Sequence, residues 1–214
     1  MDRRILLVTG VLGALLLISF VANVLPRTES VRLGLLILQQ LLFAVAGLLG
    51  SCRQKLKLQR RGMVAWGVLA GVGIYLVNRL TGILSQGIAL ELFSHELVQN
   101  LILRENGAAE ALLTSDNPLI FFGMVLLLTI GTPVGEELFF RGLLLNLWKE
   151  RFGAKKAVFF SALIFALLHF SVLQFVPLLI AGILLGMLLV RSESIAVPMI
   201  AHCTVNSLVL ILWF

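Results

Sequence analysis

Gly131 to Gly142 reads GTPVGEELFFRG, and it lies inside PLIFFGMVLLLTIGTPVGEELFFRGLLLNLW, a run from Pro118 to Trp148 whose only charged residues are Glu136, Glu137 and Arg141. A run this long and this apolar is read as a membrane-spanning helix. Each charge in a bilayer interior costs at least about 2.5–3.5 kcal/mol on insertion scales. Three of them in six residues therefore mark a functional site by default, and the rest of the chain has to explain how they are tolerated.

Working outward, the 214 residues are 59% hydrophobic and 13% charged, with a mean hydropathy of +1.04. That is too apolar for an ordinary soluble domain. Six further apolar segments run Ile5–Leu25, Leu33–Ser51, from Met63 to about Asn78, Ala157–Phe170, Phe175–Val190 and Ile195–Phe214. The expected fold is all-α, a polytopic membrane helix bundle of about seven transmembrane segments. Residues 1–117 would hold the N-terminal helices and 118–214 the core that carries the chemistry. No A-x-A site precedes Pro26, so the first segment reads as an uncleaved helix. Thr81 to Asn117 mixes acids with Phe93, Leu97 and Leu101 at helical spacing, which predicts an interfacial helix followed by a loop, with His95 solvated.

The net charge of +6 does not point to nucleic acid, because the cations sit in short loops between apolar runs, where they set topology and meet anionic lipid. Arg3, Arg4, the basic stretch Arg53–Arg61, Lys149, Arg151, Lys155, Lys156 and Arg191 fall on one side of the expected membrane; only Arg27, Arg32 and Arg104 fall on the other. The positive-inside rule makes the first side, and the N-terminus, cytoplasmic. A bacterial plasma membrane is the expected location. Trp66, Trp148 and Trp213 lie near segment ends, as an aromatic belt requires. Cys52 and Cys203 give neither a disulfide framework nor a metal spacing.

Spacing sorts the charges. Glu137 and Arg141 are four apart, acid first, the favourable order for an ion pair on one helical face. Glu136 is turned about 100° from Glu137, so it is free to face another helix. Thr132-Pro133 resembles a cap followed by proline at the first helical position, which suggests that the segment breaks and restarts just before Glu136. At about 1.5 Å per residue, Glu136 and His169 each lie roughly 18 Å from the cytoplasmic ends of their segments, and His202 and Asn206 roughly 10 and 16 Å from theirs. These groups converge on one layer. His202 and Asn206 are four apart and share a face, and Phe165 lies one turn before His169. A carboxylate and a histidine around one water make a general base, and a histidine with an amide can donate to an oxyanion. This is a hydrolase constellation without a covalent nucleophile.

GEELFFRG, FALLH (Phe165–His169) and HCTVN (His202–Asn206) resemble, in order and spacing, the EExxxR, FxxxH and HxxxN motifs of the CPBP family. These are also called Abi or CAAX-protease and bacteriocin-processing proteins, and the type II CAAX prenyl protease is their best-known member. The resemblance covers about Pro118 to Phe214. It implies an intramembrane glutamate-dependent endopeptidase open to the cytoplasm. Glu136 would activate water with His169, His202 and Asn206 would stabilise the oxyanion, and Glu137 with Arg141 would support them. Phe165 reads as packing beneath the imidazole. The implied partner is a membrane-associated protein or peptide, with lipidation left open, and no cofactor is required. Two alternatives stand beside it. One is a zinc protease with Glu136, His169 and His202 as ligands, although HExxH is absent. The other is a non-enzymatic immunity factor or scaffold.

Overall fold

The computed structural model describes residues 2–26, 28–50 and 62–212. The basic stretch Arg53–Arg61, Cys52, Arg27 and Trp213, on which parts of the topology reading rest, lie outside the described residues. Everything described is helix or connecting turn: α1 (Arg3–Val24), α2 (Glu29–Gly50), α3 (Met63–Leu92), α4 (His95–Leu113), α5 (Pro118–Phe152), α6 (Ala154–Leu167), α7 (Phe175–Ser192) and α8 (Ala196–Ile211). Helices α1, α2, α3, α5 and α7 are each long and apolar enough to cross a membrane. The chain is an all-α polytopic membrane bundle, as the composition required.

Two elements differ from the sequence reading. Helix α3 does not stop near Asn78; it continues for 30 residues to Leu92, because nothing between Asn78 and Leu92 is a helix breaker strong enough to end it. The mixed stretch then forms α4 and a short connection over 114–117, the order of helix and loop expected for it. Asn117 caps the start of α5 by accepting from the Leu119 N–H at 3.0 Å, with Pro118 at the first helical position.

The second difference lies in α5 itself. The helix does not break at Thr132-Pro133: Gly131 and Thr132 both keep right-handed helical backbone. The irregularity takes the form of two wider π-helical stretches, Leu127–Gly131 and Glu137–Leu145, on either side of the α-helical turn Thr132–Glu136. In the first stretch the Thr132 N–H bonds to the Leu127 carbonyl, five residues back. The next donor in that register is position 133, a proline with no N–H. The Leu128 carbonyl is thereby deprived of its backbone partner, and the Asn206 side-chain amide of α8 donates to it instead at 2.8 Å. Such π insertions recur at functional sites.

Every residue from Glu137 to Leu145 is buried, so the charged stretch is the centre of the bundle. Helix α2 packs on it from one side, α6 and α7 from the other. Glycine permits the close approach: a Cβ on Gly47 of α2 would stand 2.4 Å from the Leu138 backbone, and one on Gly135 2.8 Å from the Gln40 carbonyl oxygen. At Gly182 of α7, a Cβ would stand 2.9 Å from that of Ala162 on α6. An aromatic chain fills the remaining space: Phe43 lies 4.9 Å from Phe139, Phe139 5.1 Å from Phe140, and Phe140 5.1 Å from Phe165, ring centre to ring centre. That chain leads to the polar cluster.

Candidate active site

Glu137 and Arg141 form the expected pair. Nη1 of Arg141 lies 3.0 Å from Oε1 of Glu137, and their side chains are 1% and 0% exposed. Two further contacts hold the guanidinium in place: Nη2 donates to the Gly182 carbonyl at 3.2 Å, and the group stands 4.7 Å from the centre of the Phe165 ring, in cation–π range. A charge this deep is tolerated only with such partners.

Glu137 does more than the spacing implied. The same Oε1 that meets Arg141 also lies 2.9 Å from Nδ1 of His202, so Glu137 bridges α5 and α8. An ionised carboxylate can only accept, so Nδ1 of His202 carries the hydrogen. Its other nitrogen, Nε2, then faces Glu136 at 3.9 Å. Glu136 is buried, with a side chain 7% exposed. Among the described ion pairs, its partner is thus His202 of α8.

His169 follows the end of α6 and sits in the turn before α7. Its Nδ1 lies 2.7 Å from the carbonyl oxygen of Phe165. Because a carbonyl only accepts, Nδ1 carries a hydrogen, and in the neutral imidazole Nε2 is then the acceptor. The Phe165 ring ties the two histidines together, 4.6 Å from His169 and 6.2 Å from His202, centre to centre. Asn206 is on the face of α8 expected for it, but its amide nitrogen is engaged with the Leu128 carbonyl, and one of its two N–H bonds remains for other use.

Two residues near the site were missed by sequence reasoning. Gln40 of α2 is buried against Gly135, where its Oε1 would meet a Cβ at 2.9 Å, and this oxygen has no hydrogen-bond partner. A glutamine inside an apolar span was the available signal, since a polar group at that depth needs a reason. For Glu105 of α4 the signal was a lone charge among Val98, Leu101, Ile102, Ala109 and Leu112 at helical spacing. As to metal, no group of three or more His, Cys, Asp and Glu among the described residues is arranged to hold an ion.

The central helix of this all-α membrane bundle thus presents two buried glutamates to one histidine, His202, on an adjacent helix. A family model described as Type II CAAX prenyl endopeptidase Rce1-like matches residues 118–208, a segment that contains all three motifs, and over that segment the chain is similar to this family. The apolar helices mark an integral membrane protein, and the matched description is that of an endopeptidase. No curated protein and no solved structure matches the chain.

Proposed function

We propose that the chain cleaves a peptide bond of a membrane-associated protein or peptide by direct water attack, with Glu136 as the base. The observation that carries this is Glu136 itself: a buried carboxylate with no cation beside it in sequence, facing Nε2 of His202 at 3.9 Å. That separation is too long for a direct hydrogen bond and suits a shared water.

Glu136 takes a proton from water as its oxygen adds to the scissile carbonyl carbon, and His169, with Nε2 the acceptor of its neutral imidazole, assists that transfer and returns the proton to the leaving amine. The developing oxyanion needs donors. When His202 is protonated, Nδ1–H is spent on Glu137 and Nε2–H is left to donate. This species also balances the buried charge, two carboxylates against one guanidinium and one imidazolium. Asn206 supplies the second donor from its remaining N–H. Glu137 and Arg141 hold the frame.

The test uses purified protein in liposomes with a fluorescence-quenched peptide ending in a prenylated CAAX sequence. Glu136→Gln and His169→Ala should each abolish cleavage while the protein still inserts and folds; near wild-type turnover in either sinks the mechanism. The zinc reading is decided separately by metal analysis of the active protein, where a stoichiometric zinc would overturn the water-only route. Should Glu136→Gln keep the cellular phenotype, the protein acts by binding instead.

A further inference from the structure

We infer that Glu105 of α4 is a positioning residue for His169, its carboxylate holding the turn in which the imidazole stands. This rests on the reading of His169 as a catalytic group.

The inner stripe of α4 runs Val98, Leu101, Ile102, Glu105, Ala109 and Leu112 at helical spacing. Val98 and Leu112 are fully buried, and Leu101, Ile102 and Ala109 are packed against core clusters. Glu105 is the only charge on that stripe. The other ionisable residues of the helix, His95, Glu96, Arg104 and Glu110, are all exposed, so solvation explains them and leaves Glu105 unexplained.

Its partners lie far away in sequence. Oε1 accepts from the backbone N–H of Val172 at 2.7 Å and of Leu173 at 3.2 Å, and Oε2 accepts from the Ser171 hydroxyl. Ser171 Oγ in turn accepts from the Gln174 N–H at 3.0 Å. Beside this polar clamp, Leu173 is buried in one cluster with Ala89 and Val98, against which Leu101 and Ile102 pack. The turn is thus bound to α4 by a carboxylate and an apolar plug together.

His169 precedes this clamp by two residues. It has left the regular helix, since α6 ends at Leu167, and the following Phe170 takes a left-handed φ of 50°, a conformation that costs a bulky residue energy and persists only where the surroundings impose it. The imidazole is held from one side by the Phe165 carbonyl and from the other by whatever fixes the turn. Hydrogen bonds to an ionised carboxylate are roughly twice as strong as neutral ones, and Glu105 receives three. A capping role for the start of α7 alone would leave His169 indifferent to Glu105, which gives the experiment its contrast.

Full-length protein with 15N-labelled histidine in lipid nanodiscs reports the His169 tautomer directly, assigned by comparison with His169→Ala, and hydrogen exchange reports the Val172 and Leu173 amides. Glu105→Ala should lose protection at both amides and average the His169 signal between tautomers. Glu105→Gln, which keeps a carbonyl acceptor, should recover most of both, and Glu110→Ala should change neither. On the prenylated CAAX peptide, Glu105→Ala should lower kcat about 10–100-fold, with KM within about twofold of wild type. If Glu105→Ala does not fold, Ser171→Ala removes one arm of the clamp and should shift the same readouts in the same direction. An unchanged His169 signal, or a shifted signal with unchanged kcat, overturns the inference. If the wild type leaves the peptide uncut, or His169→Ala still cleaves it, the catalytic reading is what fails, and the histidine signal still decides whether Glu105 holds the turn.

Discussion

Arg141→Met and Glu137→Gln, made singly and together, test whether the bundle centre is one electrostatic unit. Arg141 and Glu137 meet at 3.0 Å with side chains 1% and 0% exposed, so removing either leaves the other charge buried without its main partner. Stranding a buried charge costs about 3–5 kcal/mol. Arg141→Met also forfeits the charge-assisted bond to the Gly182 carbonyl, about 1.5–3 kcal/mol, and the stacking on Phe165, up to about 2 kcal/mol when desolvated. Methionine replaces much of the lost volume and glutamine nearly all of it, so cavity terms stay small. The double variant strands nothing. It should cost less than the two singles summed, with a coupling toward the upper end of the usual range of about 0.5–3 kcal/mol for residues in contact. Unfolding by SDS in mixed micelles, followed by near-ultraviolet circular dichroism, supplies the four free energies. Additivity within about 0.5 kcal/mol would refute the reasoning, since the pair would then not be interacting as its geometry requires.

Other perturbations probe separate joints of the fold. Asn206→Ala should cost about 1–3 kcal/mol by leaving the Leu128 carbonyl unpaired, and should cost clearly less in a Pro133→Ala background, where the backbone regains an N–H; equal costs in both backgrounds would disprove the link. Gly47→Ala should destabilise by at least about 1–3 kcal/mol, because its Cβ would stand 2.4 Å from the Leu138 backbone, which cannot yield, whereas Gly13→Ala meets nothing within 4 Å and should be neutral or stabilising in the same unfolding assay. At the N-terminus, the Arg4 backbone N–H, and then its guanidinium, hold the Asp2 carboxyl below its ordinary range. A carboxylate depressed on folding adds stability above its unfolded value of about 3.9, and that stability is lost as pH falls through the lower folded value. Proteolysis of the α1 start should therefore accelerate below about pH 4, and Arg4→Ala, which keeps the backbone N–H but removes the guanidinium, should weaken this pH dependence without abolishing it.

What the sequence made legible was whatever depends on near neighbours. The Glu137–Arg141 pair follows from a spacing of four, and the shared face of His202 and Asn206 from the same rule. The membrane class follows from length and apolarity alone. The partners across helices were not legible in the same way. Helical spacing left Glu136 free to face the histidines of other helices without saying which contact it makes; the approach to Nε2 of His202 comes from the packing of α8 on α5, and the nine-residue π stretch that Glu137 opens has no local spacing signal. Thr132-Pro133 was read as a break because it resembles a cap followed by proline at the first helical position. The chain keeps its helical path, since Asn206, 78 residues from Leu128, supplies the missing donor. The partners of Glu105 were not legible for the same reason, since they lie 66 to 68 residues away; only its place on the apolar stripe of α4 sets it apart from Glu96 and Glu110.

The same facts bear on how the site divides its labour. Glu137 is tied to Arg141 and to His202 through one oxygen, so a residue that looks like half of a structural ion pair also orients a histidine of the site. Replacing it therefore perturbs both stability and chemistry, and loss of activity in a Glu137 variant does not by itself make Glu137 the base. Glu136 has no such second duty among the ion pairs described: it faces Nε2 of His202 across 3.9 Å. Charge removal that leaves the fold intact is consequently more informative at Glu136 than at its neighbour. The two adjacent glutamates become separable only when activity is read alongside unfolding free energy, with Glu136→Gln expected to move the first and Glu137→Gln both.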